Sequence, residues 1–259
     1  MGWLEALLHP NGGAAADALR AEDFFTARVP HHGLVLEIGP FVSPTLRGSN
    51  VRYFDVLDRE GLDARAAKKG MQGGAPEIHY VSETGDLSAV LDSFAALFGA
   101  HVLEHQPDLI GHLKQAERLL EPGGCYFLVI PDKRYCFDHF LPESTVAEVI
   151  DAHLRPSPVH TPRSVLSHHA LTTHNSPARH WRGDHGDQGD RVGRLRTAMA
   201  ALARKPGRRL DVHAWQFTPQ SFRALMEDLR TLELTGLRAA EVHATPRGRG
   251  EFCAVLVKG

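Results

Sequence analysis

Cysteine is scarce in this sequence. Only three cysteines occur among 259 residues, and two of them, Cys125 and Cys253, lie inside apolar runs typical of buried strands. A free cysteine in such a place behaves as a small hydrophobic residue. This use of cysteine predicts a protein of the reducing cytoplasm rather than one held together by disulfides.

An excess of charge and long apolar runs are also missing. The 29 Lys and Arg residues nearly balance the 31 Asp and Glu residues, and the net charge is only −2. No global attraction to nucleic acid follows from this balance. No stretch approaches the roughly 18 apolar residues of a membrane span, and the first ten residues lack the features of a secretion signal. We therefore expect neither a nucleic-acid partner nor a membrane span.

Short apolar runs alternate with helical patterns along most of the chain. With 42% hydrophobic and 23% charged residues, the composition is that of an ordinary globular protein. A helix is predicted over residues 108–120, and another begins at Thr218 and Pro219 with the signature of an N-cap followed by proline. Strands are predicted at residues 34–38, 51–56, 77–81, 94–100, 125–130, 237–243 and 251–257. This alternation predicts an α/β, Rossmann-like, doubly wound and mainly parallel seven-stranded sheet.

Two strand ends carry the residues that a nucleoside ligand needs. Gly39 directly follows the first strand, where it would let the backbone approach a ligand, and Asp55 ends the second strand, where its carboxylate could accept hydrogen bonds from ribose hydroxyls. The alternative is an ordinary turn at Gly39 and a solvated strand end at Asp55. These two residues alone leave both interpretations open.

Four motifs, taken in order, resemble the successive motifs of class I S-adenosylmethionine-dependent methyltransferases. They are VLEIGP at residues 35–40, YFD at 53–55, HVLEH at 101–105 and LLEPGG at 119–124. Two further segments resemble a bacterial subgroup associated with glycan biosynthesis, namely PDKRYCFDHF at 131–140 and DAHL at 151–154. The chain thus resembles this family from residue 33 to about residue 131, and less specifically beyond it.

The resemblance implies a cofactor site at the ends of four strands. S-adenosylmethionine would lie with its methionine end near the first strand, its ribose at the second, its adenine after the third and its sulfonium beside the fourth. In that order the implied residues are Glu37, Gly39 and Pro40, then Asp55, then Glu83 and Asp86, then Ala100 and His101.

One loop departs from the family pattern. The usual Gly-x-Gly-x-Gly is replaced by GPFVS at residues 39–43, so two glycines are missing. S-adenosylmethionine has no phosphate for a glycine-rich loop to bind, whereas a nicotinamide dinucleotide does. The departure therefore argues more strongly against a dehydrogenase than against a methyltransferase.

The regular pattern is interrupted after the fifth strand. Residues 132–217 are rich in proline and polar residues, and a segment in this position lies at the carboxyl edge of the sheet, where ligands bind. We expect residues 1–32 to form a helical cap, residues 33–131 the cofactor-binding half, residues 132–217 an inserted lid or substrate segment, and residues 218–259 the last helix and strands of the sheet domain.

Histidine is abundant, with 17 in the chain. Solvated loop histidines are one interpretation, and a base or a metal site is the other. His101, Glu104 and His105 could bring two imidazoles and a carboxylate together, and related quinone-biosynthetic methyltransferases bind a divalent ion through a similar Glu-x-x-Glu-His segment, in which His101 here replaces the first Glu. Such ligands suit zinc, iron or nickel better than magnesium. Seven histidines fall between residues 153 and 185 of the predicted insertion: His153, His160, His168, His169, His174, His180 and His185.

Methyl transfer to a hydroxyl needs a general base and an aligned acceptor. The candidate bases are His101, His105, His169 and Asp132, and the alternative for Asp132 is a charged surface turn. His213, Trp215 and Phe217 alternate along an extended segment, where they could stack on a sugar or pack the insertion onto the core.

The predicted activity is transfer of a methyl group from S-adenosylmethionine to a small-molecule hydroxyl, with a sugar or glycan precursor as acceptor. A divalent metal is a further candidate cofactor. Two alternatives remain open. One is a protein that binds the cofactor without catalysis, and the other is a metal-dependent hydrolase built on the histidine-rich segment.

Overall fold

The structure is a computed structural model that describes residues 28–29, 33–204, 207 and 210–259. The predicted N-terminal cap at residues 1–32 lies almost wholly outside these described residues. None of the described helices combines the length and the hydropathy that crossing a membrane would require.

A seven-stranded sheet forms the centre of the described chain. Its strands lie in the order β3-β2-β1-β4-β5-β7-β6, and β7 runs antiparallel to both of its neighbours while the other pairs are parallel. The predicted α/β class and mainly parallel sheet are confirmed, although the sheet is mixed. The strands are β1 (Val35–Ile38), β2 (Val51–Asp55), β3 (Tyr80–Val81), β4 (Phe94–Ala100), β5 (Leu120–Pro131), β6 (Leu237–Val242) and β7 (Glu251–Lys258).

Seven α-helices are described. Two of them, α2 and α7, contribute apolar faces to the larger core cluster of the sheet. The helices are α1 (Arg59–Lys68), α2 (Leu109–Leu119), α3 (Val146–Leu154), α4 (Pro162–Leu171), α5 (Pro177–His180), α6 (Arg191–Arg204) and α7 (Pro219–Thr231). Short 3₁₀ turns occupy Leu87–Ala89 and Leu103–His105.

The side chains of β5 alternate between the two faces of the sheet, and both faces are buried. Tyr126 and Leu128 belong to the cluster under α2 and α7, whereas Phe127 and Val129 belong to a second cluster on the opposite face. Successive side chains of a strand point to opposite faces, so a strand that is buried on both sides is apolar at every position. Cys125 and Cys253 lie in the second cluster, as buried residues of β5 and β7.

Some predicted boundaries were wrong. The helix predicted to reach residue 120 ends at Leu119, and β5 begins at Leu120, because residues 120–124 pair or bulge along the edge of β4 instead of forming a separate turn. The third strand is only Tyr80–Val81. Helix α1 was not predicted, since only Leu62 and Ala66 of its ten residues are buried.

The described part of residues 132–217 contains four helices, α3 to α6, between β5 and α7. Helices α4 and α6 pack around a small cluster of Val165, Ala198 and Val212. Trp215 and Phe217 are buried in the main core, which favours packing over sugar stacking for these two side chains. That the segment is an insertion with its own function stays a prediction.

Candidate functional site

The sheet reverses its winding between β1 and β4. From β1 the chain proceeds outward to β2 and β3, and it then crosses to β4 and β5 on the other side. Ligands of open α/β sheets bind in the crevice at such a switch point, beyond the carboxyl ends of the strands. Residues that follow Ile38, Phe54 and Gly99 therefore define the first place to look for a ligand.

The backbone at this crevice is held in left-handed conformations. Gly39 has φ +72°, and a Cβ added there would lie 3.4 Å from the side chain of Val102. Phe41 and His101 also have positive φ, at 48° and 55°. Left-handed backbone is uncommon for residues other than glycine, and it concentrates at functional sites. The loops after β1 and β4 both have it.

Asp55 closes one side of the crevice. It is only 7% exposed at the end of β2, and its two carboxylate oxygens accept hydrogen bonds from the backbone N–H groups of Phe41 and Val56, at 3.2 and 2.7 Å. Asp55 is thus oriented by the backbone at the end of β2.

Glu37 holds the loop that follows β1. This buried carboxylate accepts hydrogen bonds from the backbone N–H groups of Thr45 and Leu46, both at 2.8 Å. It therefore fixes the course of the chain after Gly39 and Pro40. The predicted contact of Glu37 with a ligand stays a prediction.

The loop after β3 lies further along the same edge. Asp86 accepts a hydrogen bond from the N–H of Ser88 at 2.7 Å and caps the 3₁₀ turn Leu87–Ala89. It also lines a cavity of about 260 Å³ together with Gly85, Gln106 and Asp108. Glu83 is exposed. Of the two predicted adenine contacts, Asp86 is the one that borders a cavity.

His101 is the first residue after β4. Its N–H donates to the carbonyl of Val129 at 3.0 Å, which ties it to β5, and its side chain is half-exposed. Nδ1 lies 3.4 Å from Oε1 of the buried Glu104. A buried carboxylate beside Nδ1 of a histidine favours the tautomer that leaves Nε2 as a base.

Glu104 is the centre of a buried cluster of histidines. It is 1% exposed, and its Oε1 lies 3.9 Å from Nε2 of both His105 and His213. Burial alone would raise the pKa of Glu104, but His101, His105 and His213 lower it to about 2. The carboxylate is therefore ionised in the interior because imidazoles surround it.

Both buried histidines are oriented by a second partner. His105 Nδ1 lies 3.1 Å from the carbonyl oxygen of Val212, and His213 Nδ1 lies 2.6 Å from Oδ2 of Asp138. Burial lowers the pKa of His105. Burial would also lower the pKa of His213, but the hydrogen bond to Asp138 raises it above the ordinary value. Each ring thus presents Nε2 to Glu104.

This cluster fits a divalent ion. The ligand atoms of Glu104, His105 and His213 all lie within 4.8 Å of one another. Neither oxygen of Glu104 accepts a hydrogen bond of ordinary geometry from the residues that the structure describes, although Nδ1 of His101 lies 3.4 Å from Oε1. Metal-binding histidines commonly donate their other ring N–H to a carboxylate or a carbonyl, which Asp138 and Val212 provide. Imidazole with carboxylate suits zinc, iron or nickel.

Comparison with solved structures finds that this chain is similar to several methyltransferases. No protein-family model matches the sequence, and the comparison with curated proteins finds no match. A SAM-dependent methyltransferase from Aquifex aeolicus is 10% identical, with 98% of each chain covered and a TM-score of 0.46. The magnesium protoporphyrin IX methyltransferase of Synechocystis, with bound SAH, is 11% identical, with 99% of this chain and 93% of that chain covered and a TM-score of 0.42.

The mitomycin 7-O-methyltransferase is 12% identical, with 92% of this chain and 53% of that chain covered and a TM-score of 0.43. These three solved structures are methyltransferases, and one of them acts on oxygen by its description. These identities and TM-scores are too low to transfer an activity to this chain.

Asp132 and His169 do not join the cluster around Glu104. Asp132 is fully buried, and its carboxylate accepts hydrogen bonds from Arg134 at 2.6 Å and from Thr245 Oγ1 at 2.5 Å. Through these two hydrogen bonds, the Asp132 carboxylate holds the loop after β5 in place. His169 lines a different cavity, beside Arg194, and its neighbour His168 is the one whose Nδ1 accepts the N–H of His213 at 3.3 Å.

Two members of the cluster were not identified from the sequence as part of this site. His213 was considered for packing or sugar stacking, and Asp138 was only part of a subgroup motif. They are distant from Glu104 along the chain, so no local spacing relates them to it. The available signal was that an acidic residue followed by histidine occurs after the predicted fourth strand, at Glu104 and His105, and again after the fifth, at Asp138 and His139.

Proposed function

We propose that this protein binds S-adenosylmethionine in the crevice between β1 and β4 and transfers its methyl group to a hydroxyl of a small molecule. One observation carries this proposal. The loops after these two strands both have left-handed backbone, at Phe41 and His101, and the buried Asp55 lies beside the first of them. This is the arrangement of glycine, acidic residue and sheet switch point that an adenosyl ligand needs.

The cofactor would be held by residues of three strand ends. Asp55 would accept hydrogen bonds from the ribose hydroxyls, Gly39 and Pro40 would contact the methionine end, and Ala100 would lie beside the sulfonium. Glu37 would hold the loop that follows Gly39, through its bonds to Thr45 and Leu46. When bound, the cofactor supplies an electrophilic methyl group on a sulfonium.

His101 is the proposed general base. Its Nδ1 faces Glu104, which leaves Nε2 to take the proton of the acceptor hydroxyl as the oxygen attacks the methyl carbon. Glu104 would stabilise the imidazolium that results, since its own charge is maintained in the interior. The chain otherwise has to align the acceptor with the methyl group and exclude water.

Residues 132–217 are proposed to hold the acceptor. Two contacts hold this segment against the turn that follows β4. The N–H of Ala214 donates to the carbonyl of Glu104 at 2.7 Å, and Asp138 holds His213 against the same glutamate. A sugar or glycan precursor is proposed as acceptor on the subgroup resemblance of residues 131–140 and 151–154.

A metal-assisted reaction is the second candidate. The observation that favours it is the buried Glu104, whose oxygens accept no hydrogen bond of ordinary geometry within the described residues while two Nε2 atoms face them. Glu104, His105 and His213 would hold the ion, which would act as a Lewis acid on the acceptor oxygen. His101 would then be a neighbour of the ion rather than the base.

The test is a methyl-transfer assay with S-adenosylmethionine and a panel of sugars and nucleotide sugars, read as formation of S-adenosylhomocysteine. Acceptor-dependent turnover supports the proposal, and His101→Gln should reduce kcat by about 10²–10⁴-fold. Turnover that survives removal of metal favours the base, and turnover restored only by added metal favours the second candidate. Cofactor binding without turnover on any acceptor would indicate a non-catalytic binding protein, and metal-dependent hydrolysis without cofactor binding would indicate a hydrolase.

A further inference from the structure

A second group of histidines lies outside the cluster around Glu104. His139 follows β5, whereas His180 ends α5 and His185 lies in the loop after it. Their potential ligand atoms lie within 4.8 Å of one another. The rings of His139 and His185 are stacked with centroids 3.7 Å apart, and Nδ1 of His180 lies 3.0 Å from Nδ1 of His185.

Hydrogen bonds to backbone carbonyls fix the tautomers of two of these rings. His139 Nδ1 lies 2.9 Å from the carbonyl oxygen of Arg134, and His180 Nε2 lies 3.1 Å from that of His174. A carbonyl oxygen can only accept, so each of these nitrogens carries the proton. The opposite nitrogen of each ring is therefore a lone pair. Carbonyl partners of this kind also orient metal-binding histidines.

The acidic residue beside the group has hydrogen-bond partners of its own. The nearby carboxylate of Asp184 is bound to Arg179 through Nε at 2.7 Å and to the N–H of Gly186 at 3.1 Å. Histidine binds a metal through the unprotonated nitrogen of a neutral ring.

We propose that His139, His180 and His185 bind one zinc ion, each through one ring nitrogen. Three imidazoles without a thiolate form a recognised zinc ligand set that leaves the fourth position to water or another small ligand. His139 and His185 are half-buried, so solvent can reach that position. The ion would fasten the loop after α5 to the segment that follows β5.

The proposed ion would also lie next to the segment that positions the cluster around Glu104. His139 directly follows Asp138, which holds His213 against Glu104. Fixing His139 would therefore stiffen the segment that positions the Glu104 cluster. The proposal does not depend on methyl transfer, because its ligands and its test are separate from the cofactor crevice.

The test is titration of the metal-stripped full chain with zinc, and with cobalt as a spectroscopic probe. His139→Ala and His185→Ala, at half-buried positions, are compared with two controls: His169→Ala, a histidine outside the group, and Glu104→Gln, which removes the other candidate centre. Thermal unfolding without metal checks that each variant folds as the wild type does. The visible absorption of bound cobalt reports imidazole coordination.

We expect the wild type, His169→Ala and Glu104→Gln all to retain this zinc site. His139→Ala and His185→Ala should each weaken it by more than the roughly 10–100-fold that loss of an orienting partner causes. Zinc should also raise the Tm of the wild type and of Glu104→Gln, and it should raise that of His139→Ala and His185→Ala by less. Zinc binding of wild-type affinity and stoichiometry in both variants, or no zinc binding by the wild type, would overturn the proposal.

Discussion

His213 is hydrogen-bonded to Asp138 at 2.6 Å between Nδ1 and Oδ2, and both side chains are buried. This bond joins two segments of the chain and presents Nε2 of His213 to Glu104. It also raises the pKa of His213 although burial would lower it. The bond is therefore stronger when His213 is protonated.

Asp138→Asn should destabilise the protein by about 2 kcal/mol where His213 is charged, since hydrogen bonds to charged groups contribute about that much. A histidine whose folded-state pKa is raised stabilises the fold fully below its unfolded pKa, and this contribution is lost as the pH rises through the folded pKa. The difference in free energy of unfolding from the wild type should thus be larger at about pH 6 than at about pH 9. Urea unfolding at both pH values measures it, and an equal difference at the two would contradict the account.

His168 should make the protein sensitive to acid. Burial lowers its pKa to about 4, and its Nδ1 accepts the N–H of His213. Because the folded-state pKa is below the unfolded value, the unfolded chain binds the proton first, and stability falls as the pH drops below about 6.5. One pKa unit corresponds to about 1.4 kcal/mol, so lowering the pH to about 5 should cost about 2 kcal/mol.

The variant His168→Asn tests this, because Asn Oδ1 can accept the same N–H without titrating. Its free energy of unfolding should change less than that of the wild type between about pH 7 and about pH 5. His79→Asn is the matched control, since His79 Nδ1 also accepts a backbone N–H, from Tyr53 at 3.2 Å, but on the surface. We expect the control to keep the wild-type pH dependence. The same dependence in His168→Asn would contradict the assignment.

Gly39 and Gly70 offer a matched pair of substitutions. Their φ angles are +72° and +68°, but a Cβ at Gly39 meets Val102 at 3.4 Å, whereas none of the described atoms lies within 4 Å of one at Gly70. Alanine at either position should destabilise the fold by about 1–2 kcal/mol, the cost of left-handed backbone. Only Gly39→Ala should also weaken S-adenosylmethionine binding, measured by calorimetry. Equal cofactor affinity in the two variants would remove Gly39 from the site.

Much of the sheet could be predicted because burial on both faces makes a strand apolar at every position. The bounds of β4 were predicted as Phe94–Ala100, and α7 begins at Pro219 after the N-cap Thr218, whose side chain accepts the N–H of Ser221. These signals are local. The same Thr-Pro pair occurs at residues 161–162 and caps α4, so that helix could have been predicted from the same signature.

The cluster around Glu104 could be predicted only in part. His101, Glu104 and His105 are neighbours in sequence, so their proximity follows from a short turn after β4. His213 and Asp138 reach the cluster through tertiary packing, and no periodicity encodes that. For the same reason the sequence could not show that Arg134 and Thr245 donate hydrogen bonds to the Asp132 carboxylate. Nor could it show that His168 rather than His169 faces His213.

The most direct test of the central claim is calorimetric titration of the metal-stripped protein with S-adenosylmethionine and S-adenosylhomocysteine, repeated with Asp55→Ala. Asp151→Ala, which removes an exposed carboxylate on α3, is the control. Binding by the wild type and the control, lost in a folded Asp55→Ala, is the predicted result. No binding by the wild type, with or without added metal, or unchanged binding by Asp55→Ala, would contradict a cofactor site at the ends of β1, β2 and β4.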